Sequence, residues 1–111
     1  MRFETSTFKP PDSDKDYLRI SIADNLTADE SGQLRRLISD SVTSGYPYIY
    51  IDAGQITEAD LSGINEIINA HYQLSAASKT LVFLYRKGTP IEKLVATSGM
   101  EKFIETAIIP V

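Results

Sequence analysis

The chain switches between two hydrophobic periods. Tyr17-Leu18-Arg19-Ile20-Ser21-Ile22 alternates apolar and polar residues, the pattern of a strand with one buried face. Arg2 to Phe8 is β-capable, and the turn-forming stretch Pro10-Pro11-Asp12-Ser13-Asp14 separates the two. A hairpin across the proline loop is the expectation. Leu34, Leu37, Ile38 and Val42 then recur at helical spacing. Thr27 and Glu30 have capping-box spacing ahead of that helix, and Gly45 is expected to end it, where a positive φ is cheap.

Tyr48-Ile49-Tyr50-Ile51 is a continuous apolar run before Asp52, which suits a parallel strand covered on both faces. A loop through Gly54 and Thr57 leads to a second helix beginning near Asp60, with Ile64, Ile67, Ile68 and Leu74 as its apolar stripe. Thr80-Leu81-Val82-Phe83-Leu84-Tyr85 reads as another buried strand. Thr89 as N-cap and Pro90 at the first helical position open a third helix carrying Ile91, Leu94 and Val95, and Gly99 closes it. A short helix or turn over 101–104 precedes Ala107-Ile108-Ile109, a candidate edge strand. The order ββαβαβα, with that weak last strand, predicts an α/β sandwich in which helices pack on a central mixed, mostly parallel sheet.

Composition narrows the classes. The chain has 111 residues, which suits a single domain over 1–111. A net charge of −4 disfavours phosphate backbones and anionic lipid as partners. The absence of cysteine removes disulfides, thiolate metal sites and thiol nucleophiles. The N-terminal residues lack a signal-peptide core, and no apolar run reaches the length of a membrane span. A cytoplasmic protein without membrane insertion is therefore expected. In that compartment the Asn25-Leu26-Thr27 glycosylation pattern is a chance match.

Catalytic signals are sparse. There is no phosphate loop, no dinucleotide fingerprint and no nucleophile elbow. The only histidine, His71, falls among Ile67, Ile68 and Leu74 and reads as a boundary residue. Asp52, Glu58 and Asp60 flank the loop after the central strand, the usual functional edge of an α/β sheet. They could hold a cation or act as an acid/base pair. The plainer reading makes Asp60 a helix cap and Asp52 and Glu58 solvated loop residues. No metal, no cofactor and no enzymatic activity are expected. The tyrosines read as amphipathic fillers on the sheet faces.

Asp60-Leu61-Ser62-Gly63-Ile64 carries a resemblance. With the strand Tyr48 to Asp52 before it and Thr97-Ser98-Gly99-Met100 and Phe103-Ile104 near the end, the chain resembles the STAS domain family, which includes the bacterial anti-sigma-factor antagonists. The resemblance runs from about Leu18 to Ile109. Two positions depart from the family pattern. Leu61 stands where a small residue is usual, and Asp24-Asn25-Leu26-Thr27 replaces a stretch of Gly, one residue, an aliphatic and Asp.

The resemblance implies a STAS-like fold and a non-enzymatic regulatory module that binds a protein. In the antagonists the Ser or Thr before the Gly, here Ser62, is phosphorylated by a Ser/Thr kinase that is also the anti-sigma factor. The partner-binding edge it implies comprises Asp24, Asn25, Thr27, Thr57, Glu58, Asp60, Leu61, Ser62, Gly63 and Thr89. The alternative within the same family is an accessory STAS subunit of a lipid-transport or other membrane transporter complex.

Overall fold

A computed structural model describes residues 2–9, 16–27 and 31–109. The elements are β1 (Arg2–Phe8), β2 (Tyr17–Leu26), α1 (Ser31–Val42), β3 (Tyr48–Ala59), α2 (Leu61–Ala76), β4 (Thr80–Arg86), α3 (Pro90–Ser98), a 3-10 turn (Met100–Lys102) and β5 (Glu105–Ile109). They build one five-stranded sheet in the order β1-β2-β3-β4-β5. β1 pairs antiparallel with β2, and the other pairings are parallel. The expected edge strand is present as β5. The proline loop at 10–14 and Glu30 of the expected capping box lie outside the described residues.

The topology decides where the helices go. Each parallel crossover moves one strand further in the same direction, so right-handed connections place α1, α2 and α3 on one face of the sheet. That face holds the core. Ile20, Ile22, Ile49, Ile51 and Phe83 from the strands are fully buried against Leu34, Ile64, Ile67, Leu74 and Ile91 from the helices. Burying each such side chain contributes roughly 1.5–3 kcal/mol, so this layer dominates the stability.

Among the described residues the opposite face carries no helix, which corrects the expectation that β3 is covered on both sides. Its residues alternate with the core set. Tyr48 is exposed and Tyr50 half-buried, and they gather with Phe8 and Tyr17 into an aromatic cluster with ring centroids 5.0–5.6 Å apart. The apolar run at 48–51 therefore mixes two surfaces: isoleucines for the core and tyrosines whose hydroxyls tolerate water.

Two further expectations are corrected. The segment after Gly54 is strand, with β3 running through Ala59 and pairing with the end of β2 across two irregularities of register. Ile56 is buried there, which gives the segment a reason to stay in the sheet. α1 ends at Val42, and Gly45 is not among the glycines with positive φ. The Ser41 and Ser44 hydroxyls, donating to the carbonyls of Ile38 and Ser41, close that end instead. Gly99 does take the left-handed conformation, at φ 71°, and its N–H returns to the Val95 carbonyl.

Tyr85 lies on the core face of β4, stacked on Phe83. Burial, reinforced by the negative charges of Glu92 and Glu101, pushes its phenol above the ordinary tyrosine value. Above pH about 10 the unfolded chain releases this proton while the folded protein still holds it. Stability should therefore be flat in this group below that pH and fall above it. Denaturant titrations at pH 9 and 11 should show Tyr85→Phe losing less stability across that interval than the unmodified protein.

Candidate functional site

The carboxyl ends of β2 and β3 lie side by side, Asn25 opposite Glu58 and Leu26 opposite Ala59. This register delivers Asp60 to the end of β2, where its N–H donates to the Leu26 carbonyl at 3.2 Å. The Thr57 hydroxyl donates to the Asp24 carbonyl at 2.7 Å, a second tie between the same strands. Asp24 has φ 76°. This is the first position of the departing stretch, where the family pattern carries Gly. Aspartate is one of the few residues with a Cβ that enters the left-handed region at low strain, so Asp24 holds this conformation without glycine.

α2 starts on this platform. Asp60 is its N-cap in extended conformation, and Oδ1 accepts the Gly63 N–H at 2.8 Å. Gly63 is buried against Leu26. A Cβ there would overlap the Leu26 carbonyl oxygen and lie 2.6 Å from its carbonyl carbon. The glycine is thus needed for close approach, not for an unusual φ. With Gly63 and Ile64 facing inward, Leu61 and Ser62 face outward: Ser62 is exposed and Leu61 is half-exposed at 50%.

The segments around Asp24, Thr57 and Ser62 are joined by these bonds, and Glu58 and Asp60 make the rim acidic. Asn25 and Thr27 are half-buried at the end of β2. Thr89 follows the carboxyl end of β4, which runs parallel to β3, and precedes α3, which packs on β3 and α2. It stands at the N-cap of α3, but its hydroxyl donates to the Arg86 carbonyl and does not cap the helix.

The other carboxylates differ from expectation. Glu58 is exposed at the end of β3, and Asp52 is buried on the open sheet face, not solvated in a loop. Asp52 forms an ion pair with Arg19 through Oδ2 and accepts the Gly54 N–H through Oδ1 at 2.8 Å. Nothing in the sequence announces a pair 33 residues apart. Its only signal is that Arg19 and Asp52 occupy polar positions of neighbouring strands. Asp52 therefore points away from the Ser62 edge, and the three carboxylates form no single cluster. Among the described residues, no group of three metal-type ligands is gathered. His71 meets the rings of Tyr72 and Phe103 edge-on, those two rings stack on each other, and its buried Nδ1 has no hydrogen-bond partner among the described residues.

No family profile and no curated protein matches the sequence. Solved structures do match the fold. The anti-sigma factor antagonist SpoIIAA in its unphosphorylated form is 18% identical, with 96% of this chain and 88% of that one aligned at a TM-score of 0.74. The chain has a STAS-like fold. An anti-sigma factor antagonist from Mycobacterium paratuberculosis superposes at 0.73, with 12% identity over 95% of this chain and 85% of that one. The phosphorylated form of Bacillus SpoIIAA superposes at 0.67, with 18% identity over 96% and 91%. At these identities the likeness is one of STAS architecture, and the roles of individual residues rest on the local geometry.

Two substitutions probe this geometry. Gly63→Ala forces a methyl group into rigid backbone and should destabilise the protein by about 3 kcal/mol or more, seen as a large drop in Tm or loss of folded protein. Asp60→Ala removes one capping bond on an exposed residue and should cost about 1 kcal/mol in the same melt.

Proposed function

We propose that this chain is a regulatory protein-binding module of the anti-sigma-factor-antagonist kind, switched by phosphorylation of Ser62. The observation that carries the reading is the exposed hydroxyl of Ser62 in the first turn of α2, beside the half-exposed Leu61, on a helix start held rigidly against β2. The docking surface comprises that turn with Asp24 to Thr27, Thr57 to Asp60 and the start of α3 at Thr89. Leu61 supplies apolar contact area at its centre. The partner is a Ser/Thr kinase that acts as the anti-sigma factor.

The physical effect of phosphate here is local. It adds about −1.5 to −2 charge at neutral pH. The N-terminal dipole of α2 offsets part of that charge, so the fold tolerates it. Phosphorylation of a STAS-like fold has a structural precedent in the phosphorylated form of SpoIIAA. For the partner the change is large, because Glu58 and Asp60 already make the rim acidic. A charge forced into a desolvated contact weakens binding without any rearrangement of the fold.

The test begins with capture of the partner from native lysate and mapping of phosphate on the recovered protein. Ser62→Asp should move stability by less than about 1 kcal/mol in thermal melts. It should weaken binding to the purified partner by about tenfold or more, whereas Ser62→Ala should bind like the unmodified protein. A folded Ser62→Asp protein with unchanged affinity would place Ser62 outside the interface and remove this reading.

A further inference from the structure

β1 forms one margin of the sheet: its inner edge bonds β2, and its outer edge is paired with none of the described strands. Such an edge accepts a further strand unless it is short, bulged, or guarded by proline or lysine. β1 has none of these guards. It is seven residues long and contains neither proline nor lysine. It pairs with β2 residue for residue, from Arg2 opposite Ala23 to Phe8 opposite Tyr17. Glu4, Thr5, Ser6 and Thr7 are all exposed. The other margin, β5, has five residues and is followed at once by Pro110, which has no N–H to offer a ladder.

The helix layer stops short of this strand. Thr5 lies beside Ile20 and Thr7 beside Leu18, on the core side of the sheet. Ile20 is fully buried, yet Thr5 and Thr7 are exposed. Phe3, beside the fully buried Ile22, is half-buried at the same margin. The core side of β1 is therefore a strip of side chains that the helices leave open.

We infer that β1 pairs antiparallel with β1 of a second copy of the chain, about a two-fold axis at Thr5. The occupant follows from the strand's complementarity to itself. Residues opposite each other share a face of the sheet, so the axis passes through one residue of the strand. An axis at Thr5 pairs all seven residues: Arg2 with Phe8, Phe3 with Thr7, Glu4 with Ser6, and Thr5 with its own copy. These include the favourable neighbours of a ladder, an aromatic with a β-branched residue twice and Thr with Thr once. An axis at Glu4 would set two carboxylates face to face, and an axis at Phe3 or Ser6 would leave part of the strand unpaired. In the Thr5 register Glu4 and its copy are only diagonal neighbours, roughly 7–8 Å apart, a repulsion that salt screens. The result is one continuous sheet across both copies, with both helix layers on the same face. Strand direction reverses at the axis, so the two Ser62 edges lie at opposite ends and both stay open. This inference is independent of Ser62 and stands or falls without it.

A single strand pair is a small interface of the weak, transient class. Sedimentation velocity from about 10 µM to about 1 mM should show monomer–dimer exchange with a Kd on the order of 100 µM. Thr5→Lys sets two ammonium groups face to face at the axis and should weaken the dimer by about fivefold or more. Thr5 is exposed, so a thermal melt of this variant should stay near that of the unmodified protein. The chain has no cysteine, so Thr5→Cys supplies a single thiol. Opposite Cα atoms of an antiparallel pair lie about 4.5–5.5 Å apart, within the span of a disulfide. Under mild oxidation Thr5→Cys should give a covalent dimer on non-reducing gels. Thr7→Cys, which meets Phe3 of the copy, and Ala107→Cys, on β5, should remain monomeric. The inference is overturned if the protein sediments as a monomer throughout this range or if a folded Thr5→Lys protein dimerises like the unmodified one. It is equally overturned if Thr7→Cys or Ala107→Cys cross-links as readily as Thr5→Cys.

Discussion

The carbonyl of Leu26 is the contact on which the candidate site depends. It receives the Asp60 N–H and lies under Gly63, so the last residue of β2 and the first turn of α2 share one small volume. Nothing larger than glycine fits. That closeness sets the rotation of α2: Gly63 and Ile64 are pinned inward, and helical geometry then turns Leu61 and Ser62 outward. The proposed switch residue, Ser62, is thereby carried outward on a helix end held against β2. The Asp60 cap and the Thr57 hydroxyl tie the same corner from two other directions.

The same packing divides the molecule into two surfaces of different character. The helix-covered side of the sheet is aliphatic and holds nearly all of the core. The uncovered side is aromatic and charged, with tyrosines at one end and the Arg19–Asp52 pair further along. The α1–α2 pair is further tied on its outer surface by Arg35 and Glu66, a solvent-exposed bridge whose contribution to stability is small. The Ser62 edge and the open face thus differ in chemistry as well as position. Changes at one need not disturb the other.

Much of the fold was legible in the chain because its strands and helices have clean periods. The stripe Ile64, Ile67 and Leu74 and the run Leu81 to Tyr85 lie where pattern places them. Asp60 as a cap and Ser62 in the first turn were legible for the same reason, since a polar residue preceding a periodic stripe marks a helix start. The second half of β3 was not. Gly54 followed by Gln55, Thr57 and Glu58 reads as a loop, and only the tertiary pairing with β2, through buried Ile56, keeps it extended. Asp52 was misplaced because its environment is set by a residue on the adjacent strand. The run at 48–51 was read as covered on both faces because periodicity does not distinguish tyrosines facing water from isoleucines facing a core.

The central claim is that charge at Ser62 acts on the surface of an otherwise unchanged domain. The most direct test is the backbone amide spectrum of the protein with phosphoserine incorporated at Ser62, compared with the unmodified chain. The account predicts shifts confined to residues 24–27 and 57–66, with the amides of Ile20, Ile49 and Phe83 unmoved. Shifts spreading through those core strands, or loss of the helical signature of α2, would show that phosphate rearranges the fold and would contradict it.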